Sequence, residues 1–167
     1  MSVKDEPAQM TSQDTDPGGT ILDAPNRAII EALQKDGRQP YGAIAEAVGL
    51  SEAAVRRRVQ RLREAGIMQI VAVTDPLQVG FTRQAMVGIS VEGDVRLVAD
   101  KVSSLSAVDY VVMCAGSFDI LVEVVCEDDE RLLEVLNDSI RSIPGVRSTE
   151  TFLYLKLAKQ TYTWGTR

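Results

Sequence analysis

Five arginines crowd one short stretch, and their spacing is the first hint of chemistry. Between Ser51 and Gly66 stand Arg56, Arg57, Arg58, Arg61 and Arg63, opposed by Glu52 and Glu64 alone. A guanidinium grips phosphate oxygens and bonds guanine bidentately, so such a cluster suits nucleic acid if one surface presents it. A second constellation, AGSFD over residues 115–119, sits between two apolar runs. Gly116 allows a backbone conformation or close approach denied to other residues, and Asp119 sets a carboxylate beside exposed amides. Two readings stand for this loop: a site for the ammonium and carboxylate of an amino acid, or an ordinary hairpin with an Asx-type turn. Phe118 reads more readily as core than as ligand wall.

Other chemistries lack their residues. The chain contains no histidine, which removes the commonest general acid–base group and the commonest metal ligand together. Cys114 and Cys126 are too far apart for a CxxC clip and read as reduced core thiols. No metal or cofactor is expected, and an enzyme reading starts weak. The net charge of −6 argues against a polyanionic partner until its distribution is considered. Acidic runs such as Glu127, Asp128, Asp129 and Glu130 lie in the second half, so a basic contact surface joined to an acidic domain is expected.

Positioning those groups requires helices and a sheet. Residues 1–20 hold Pro7, Pro17, Gly18 and Gly19 among small polar residues without periodicity, and read as a mobile tail. LDAPNRAIIEALQKDG then reads as a helix capped by Asp23, with Ile29, Ile30 and Leu33 on one face and Gly37 as a left-handed stop. A short helix over Tyr41–Val48 turns Ile44, Ala45 and Val48 inward and ends at Gly49. Ser51 caps the next helix, in which Val55, Val59 and Leu62 recur at i, i+4 and i+7 before Gly66 closes it. Two helices joined by so short a glycine-containing corner form a helix-turn-helix, whose second helix is shaped for the major groove. IMQIVAVTDP follows as a wing or small hairpin turning at Asp75 and Pro76, and Gly80 marks a linker.

From about Phe81 the pattern is strand, helix, strand, strand, helix, strand, that is βαββαβ. This is the ferredoxin-like arrangement, with an antiparallel sheet carrying both helices on one face. VVMC and ILVEVV are too apolar to leave the other face in water, so a homodimer at least is expected to cover it. The fold class is therefore α+β: a winged helix-turn-helix over 21–80, a ferredoxin-like domain over 81–160, and a C-terminal tail over 161–167. The absence of a long apolar run and of an apolar leader in MSVKDEPAQM places the chain in the cytoplasm as an expectation.

On the arginine helix, Ser51, Glu52, Ala53, Ala54, Arg56 and Arg57 occupy the first turn and a half, where side chains meet base edges. Gln60, Arg61 and Arg63 lie further along and suit phosphates. The bland alternative is a solvated arginine face. Arg58 stands beside the apolar stripe, where an internal ion pair and a DNA contact are equally open.

These residues resemble those of the leucine-responsive/asparagine-regulator (Lrp/AsnC) family of bacterial and archaeal transcription factors. The run LD…IIEAL…DGR…IAEAVGLS…V..RV.RL..AGI, continued by DP…G, resembles the family's DNA-binding domain over Leu22 to Gly80. The AGSFD loop, the IPGV turn and the TET strand resemble its effector-sensing domain. The resemblance implies a sequence-specific transcriptional regulator of double-stranded DNA, dimeric through its sensing sheets and often assembled into octamers. It implies small molecules, commonly amino acids, bound at subunit contacts. Gly116 and Asp119, with Ser117 and Phe118 between them, would line that site, and Thr149 and Thr151 would join from a neighbouring subunit. Arg58 and Val59 match a regular pair of the recognition helix. Pro40 departs from the pattern where a serine usually caps, as do Tyr41, Gly42, Arg56, Arg57, Ser117 and Phe118. Two other classes compete: an architectural protein coating DNA with little sequence preference, and a tetrapyrrole decarboxylase of similar fold, whose chemistry calls for the histidine this chain lacks.

Overall fold

The computed structural model describes residues 21–167; the tail expected over 1–20 lies outside the described residues. Helix α1 (Ala24–Lys35) begins where Asp23 accepts the Asn26 N–H at 2.8 Å, satisfying an otherwise unpaired first-turn donor. It does not end on a left-handed glycine. Asp36 turns extended (φ −145°) and its carboxylate accepts the Arg38 N–H, so an Asx turn stops the helix and Gly37 keeps ordinary dihedrals. Helix α2 (Tyr41–Val48) starts at Pro40 with no side-chain cap and ends at Gly49. Gly49 has φ 70°, which only glycine adopts without strain, and this sharp corner delivers the chain to Ser51. Ser51 then caps helix α3 (Glu52–Glu64) by accepting the Ala54 N–H at 3.2 Å.

Ile29, Leu33, Ile44, Ala45, Val55 and Val59 form one small core among the three helices. Each fully buried aliphatic side chain stabilises by roughly 1.5–3 kcal/mol, enough in sum to hold three short helices that are marginal alone. The wing expected next does not form as a hairpin. Residues 68–75 carry no strand pairing, and Val71 and Val73 stay exposed. The segment holds no turn residue before Asp75, so it has no second arm to pair with. Asp75 instead accepts the Leu77 N–H and opens a 3₁₀ turn over Pro76–Gln78.

The second unit has the expected element order: β1 (Arg83–Val91), α4 (Val95–Ser103), β2 (Val108–Met113), β3 (Ile120–Cys126), α5 (Asp129–Glu134) and β4 (Val146–Leu153). The strands lie in the order β2-β3-β1-β4, every neighbouring pair antiparallel. Ala85, Val87, Ile89, Ile120, Val122 and Val124 share one face and pack against Val98 and Val102 of α4 and Leu132 of α5. Helix α5 runs on as a π-helix over Val135–Ile140, which adds Val135 and Ile140 to that core.

Among the described residues of this unit, both helices pack on that one face of the sheet and none on the opposite one. Tyr110 is 52% exposed there and Phe152 44%, both opposite β-strand neighbours that alternate outward. This face is not wholly apolar, because Gln84 donates to Glu123 at 2.9 Å. Burial and the adjacent Glu123 push the Tyr154 phenol up to about 12. Cys126 is a core thiol as expected, but Cys114 is exposed, since it lies just beyond the end of β2 where the core stops.

The chain divides into two compact units, residues 21–71 together with 161–167, and residues 72–160. The C-terminal stretch, read from the sequence as a tail, thus belongs with the helices. The Gly165 N–H donates to Gln34 at 3.0 Å and the Thr166 hydroxyl donates to Glu31 at 2.6 Å, both on α1. Among the described residues no helix is long and apolar enough to cross a membrane.

Ending the chain after Gln160 should therefore weaken the helical unit by about 1–3 kcal/mol through the lost hydrogen bonds to α1. Hydrogen exchange should show faster exchange across α1 with the β1 and β3 amides unchanged; equal α1 protection would remove the C-terminal contacts from the fold.

Candidate functional site

Helix α3 buries Val55, Val59 and Leu62, partly buries Ala54 and Arg58, and turns its other side chains to water. Ser51, Glu52, Ala53, Arg56, Arg57, Gln60, Arg61 and Arg63 are all exposed, and Ala54 is half-buried. The helix therefore brings every one of these sequence-derived candidates onto one outward surface. They are not equivalent there. The Ser51 hydroxyl is occupied with its cap, and Glu52 accepts from Arg56 at 2.8 Å. Gln60 likewise donates to Glu64 at 2.8 Å. Exposed i,i+4 pairs of this kind hold only about 0.3–0.5 kcal/mol, so a phosphate or base can take the Arg56 guanidinium with little loss.

Tyr41 is a contributor that sequence reasoning noted only as odd. Its ring lies under the Arg56 guanidinium, 5.4 Å from the centroid, a cation–π contact worth about 0.5–1 kcal/mol at such an exposed position. Tyr41, Arg56, Val59, Gln60, Arg63 and Glu64 line a surface cleft of about 510 Å³ along the helix. Tyrosine at the start of one helix and arginine on the next is the signal that identifies this pairing, once the turn between them is recognised.

Arg58 resolves in favour of the internal pair. It is 17% exposed, and its guanidinium donates to Asp23 at 2.7 Å and to Asn26 at 3.1 Å at the start of α1. Partial burial by itself raises the Asp23 carboxyl; the Asn26 N–H, the Arg58 hydrogen bond and charge, and the Arg61 charge outweigh it and hold the group below its ordinary value. One carboxylate thus caps α1 and ties down α3 together. The Arg58 guanidinium is thus held within the helical unit, whereas Arg56, Arg57, Arg61 and Arg63 on the same helix are exposed.

The AGSFD loop joins β2 to β3, and its carboxylate turns inward. Asp119 accepts the Val91 N–H at 2.7 Å, where a bulge between Ser90 and Val91 interrupts the ladder. The pairing of β1 with β3 ends at Ile89 and Ile120, so the Val91 N–H lies past the end of that ladder, and the Asp119 carboxylate supplies its acceptor. The Asp119 N–H donates to Ile89 at 2.9 Å, fastening the loop to β1. The Cys114 N–H donates to the Asp119 carbonyl at 2.9 Å and closes a hairpin. The Asp119 carboxylate bonds a distant strand amide and not one two residues on, so the turn is not of Asx type. Gly116 has no left-handed φ, and a Cβ built on it would meet nothing within 4 Å, so neither expected glycine role operates within the chain.

The close approach occurs at Gly88 instead. A Cβ there would meet the Phe118 ring at 2.6–2.8 Å, because Phe118 lies flat on the backbone of β1, edge-on to Phe152 at 6.1 Å. A glycine in the middle of an apolar strand is the signal that sequence reasoning passed over. Thr149 and Thr151 lie opposite Ile89 and Val87, on the helix-bearing face, whereas Phe118 lies on the uncovered face. Within one chain Phe118 and the two threonines are thus set on different faces. The Thr149 hydroxyl accepts from Arg141 at 2.8 Å.

Comparison with known proteins agrees with both units. Residues 22–63 match the AsnC-type helix-turn-helix domain, and residues 81–167 match a C-terminal dimeric alpha+beta barrel domain of AsnC-type regulators. The HTH-type transcriptional regulator FL11 of Pyrococcus furiosus is 36% identical, over 84% of this chain and 94% of that protein. The structure of Escherichia coli AsnC is similar with a TM-score of 0.72 at 28% identity, covering 84% of this chain and 97% of that one. A Neisseria meningitidis transcriptional regulator, solved with L-Met, is similar with a TM-score of 0.73 at 27% identity, over 85% and 95%.

Replacing Arg58 by alanine should destabilise the helical unit by about 1–3 kcal/mol, since it leaves a partly buried carboxylate and amide short of a donor. Because the Asp23 carboxyl is depressed in the folded state, its contribution is complete above the unfolded value of about 3.9 and is lost as pH falls through the folded one. Acid titration followed by helical signal should show this step in the native protein and a smaller one in Arg58→Ala. At the loop, Asp119→Ala orphans the Val91 N–H and should cost about 1–3 kcal/mol, while Asp119→Asn keeps an acceptor and should melt close to the native protein. Equal melting of the two Asp119 variants would contradict the assigned bond.

Proposed function

Given that this chain belongs to the Lrp/AsnC family of helix-turn-helix transcriptional regulators, we propose that it recognises a particular double-stranded DNA sequence through the outward face of α3. AsnC-type regulators bind DNA and dimerise, and the matched C-terminal domain is of a dimeric type. The observation that carries the reading is the division of α3: Val55, Val59 and Leu62 are sequestered while Ala53, Arg57 and Arg61 are exposed on the same rigid helix. In this reading Ala53, Arg56 and Arg57 reach base edges. Gln60, Arg61 and Arg63 meet phosphates and set register. Ser51 and Glu52 act through the cap and through Arg56.

A dimer presents two such helices, so the recognised DNA consists of paired half-sites about one helical turn apart. The uncovered sheet face, with Tyr110 and Phe152 exposed, is the surface on which a second copy fits. Further assembly, such as an octamer, follows the family. We also propose that an amino acid or similar small molecule binds at subunit contacts, between the 116–119 loop of one copy and Thr149 and Thr151 of another. The L-Met in the Neisseria relative supports that class of ligand.

Gel-shift titration on the DNA upstream of the protein's own gene tests the first proposal. Arg57→Ala should relax sequence preference, costing about 1–3 kcal/mol at one base pair. Arg61→Ala should weaken binding to specific and random DNA alike and lessen its salt dependence. Equal affinity of the native protein for both DNAs would contradict sequence-specific recognition.

A further inference from the structure

Thr149 does not stand alone at the proposed effector contact. Arg141 donates through Nε to the Thr149 hydroxyl at 2.8 Å and through Nη1 to the Asn137 side-chain oxygen at 2.7 Å. Both acceptors are neutral, so they orient the guanidinium without cancelling its charge. Arg56, Arg58, Arg83 and Arg131 each pair with a carboxylate: Glu52, Asp23, Asp129 and Glu134. Arg141 forms no ion pair among the described residues, and it is exposed. Its remaining N–H donors point along a planar fork suited to a carboxylate.

The backbone before it is built to aim this side chain. Val135–Ile140 is a π-helix, and the Arg141 N–H accordingly bonds the Leu136 carbonyl, five residues back, at 3.0 Å. An extra residue in a turn rotates everything after it by about 100° relative to a regular α-helix. That rotation lets Ile140 enter the core while Arg141 reaches the edge strand β4 at Thr149. Across the sheet, Asp119 already spends a carboxylate oxygen on Val91.

We propose that Arg141 is the cationic group that holds the carboxylate of the effector, arriving in the site with Thr149 from the same subunit. The inference rests on the effector reading above and deepens it: the ligand is a small molecule with a free carboxylate, and Arg141 sets that requirement. Loss of the carboxylate leaves the guanidinium unanswered, and loss of the guanidinium removes the reason to prefer an acid over its amide.

The test is thermal-shift and calorimetric binding on the full chain, with each of the twenty L-amino acids and the α-amide of any that stabilises it. An amino acid should bind at least about tenfold more tightly than its α-amide. Arg141→Gln should erase that preference, by about tenfold in acid affinity with little change for the amide; Arg141→Lys, which keeps the charge, should recover part of it. Amide binding as tight as the acid, or Arg141→Gln binding as the native protein does, overturns the role of Arg141 while leaving the effector reading in place. No stabilisation of the native protein by any amino acid overturns both. A change in oligomer size in Arg141→Gln without added ligand assigns the guanidinium to a subunit contact and also overturns the proposal.

Discussion

Arg58 crosses from the third helix to the first, where Asp23 and Asn26 accept its guanidinium at 2.7 and 3.1 Å. The apolar contacts of Val55, Val59 and Leu62 decide which side of α3 is inside, but a stripe of small aliphatic side chains tolerates rotation and sliding. A forked, charge-assisted bond between fixed points tolerates far less. It sets the azimuth of α3 about its own axis, and with it the direction in which Ala53, Arg57 and Arg61 project. The outward surface proposed to meet DNA is thus oriented by one arginine that is bonded inward.

Much of this was readable from residue order. Asp23 and Ser51 are caps because a short acceptor side chain precedes an apolar period, and both accept first-turn amides as that pattern predicts. The turn at Gly49 and the βαββαβ order followed from glycine placement and from the change of period from 3.6 to 2. The two roles open for Arg58 could not be separated by pattern, because its partners lie more than thirty positions away. Gly37 misled for a local reason: Asp36 offered an Asx turn one residue earlier, which ends the helix without a left-handed residue. The wing failed because strand-like composition over 67–75 says nothing about where a pairing edge is to be found.

The loop was half legible. Its residue types announced a constrained turn, yet what constrains it is the β1 backbone past the end of β3, where Val91, 28 positions away, donates to the Asp119 carboxylate and Ile89 accepts the Asp119 N–H. Gly88 and Phe118 meet through the sheet, so the glycine that matters for close approach is not the one in the loop. Arg141 was invisible for the same kind of reason: only the widened turn before it brings its side chain to Thr149. Long-range hydrogen bonds and local departures from helix and strand geometry account for what pattern alone left out.

Arg58 faces inward while Arg57, Arg61 and Arg63 lie on the exposed surface proposed to meet DNA. Arginine-specific modification with phenylglyoxal, mapped by mass spectrometry with and without bound DNA, measures that direction at each guanidinium. The account predicts that Arg57, Arg61 and Arg63 react in the free protein and are shielded by DNA, while Arg58 reacts slowly in both states. Strong shielding of Arg58 by DNA, or unchanged reactivity of the other three, would contradict it.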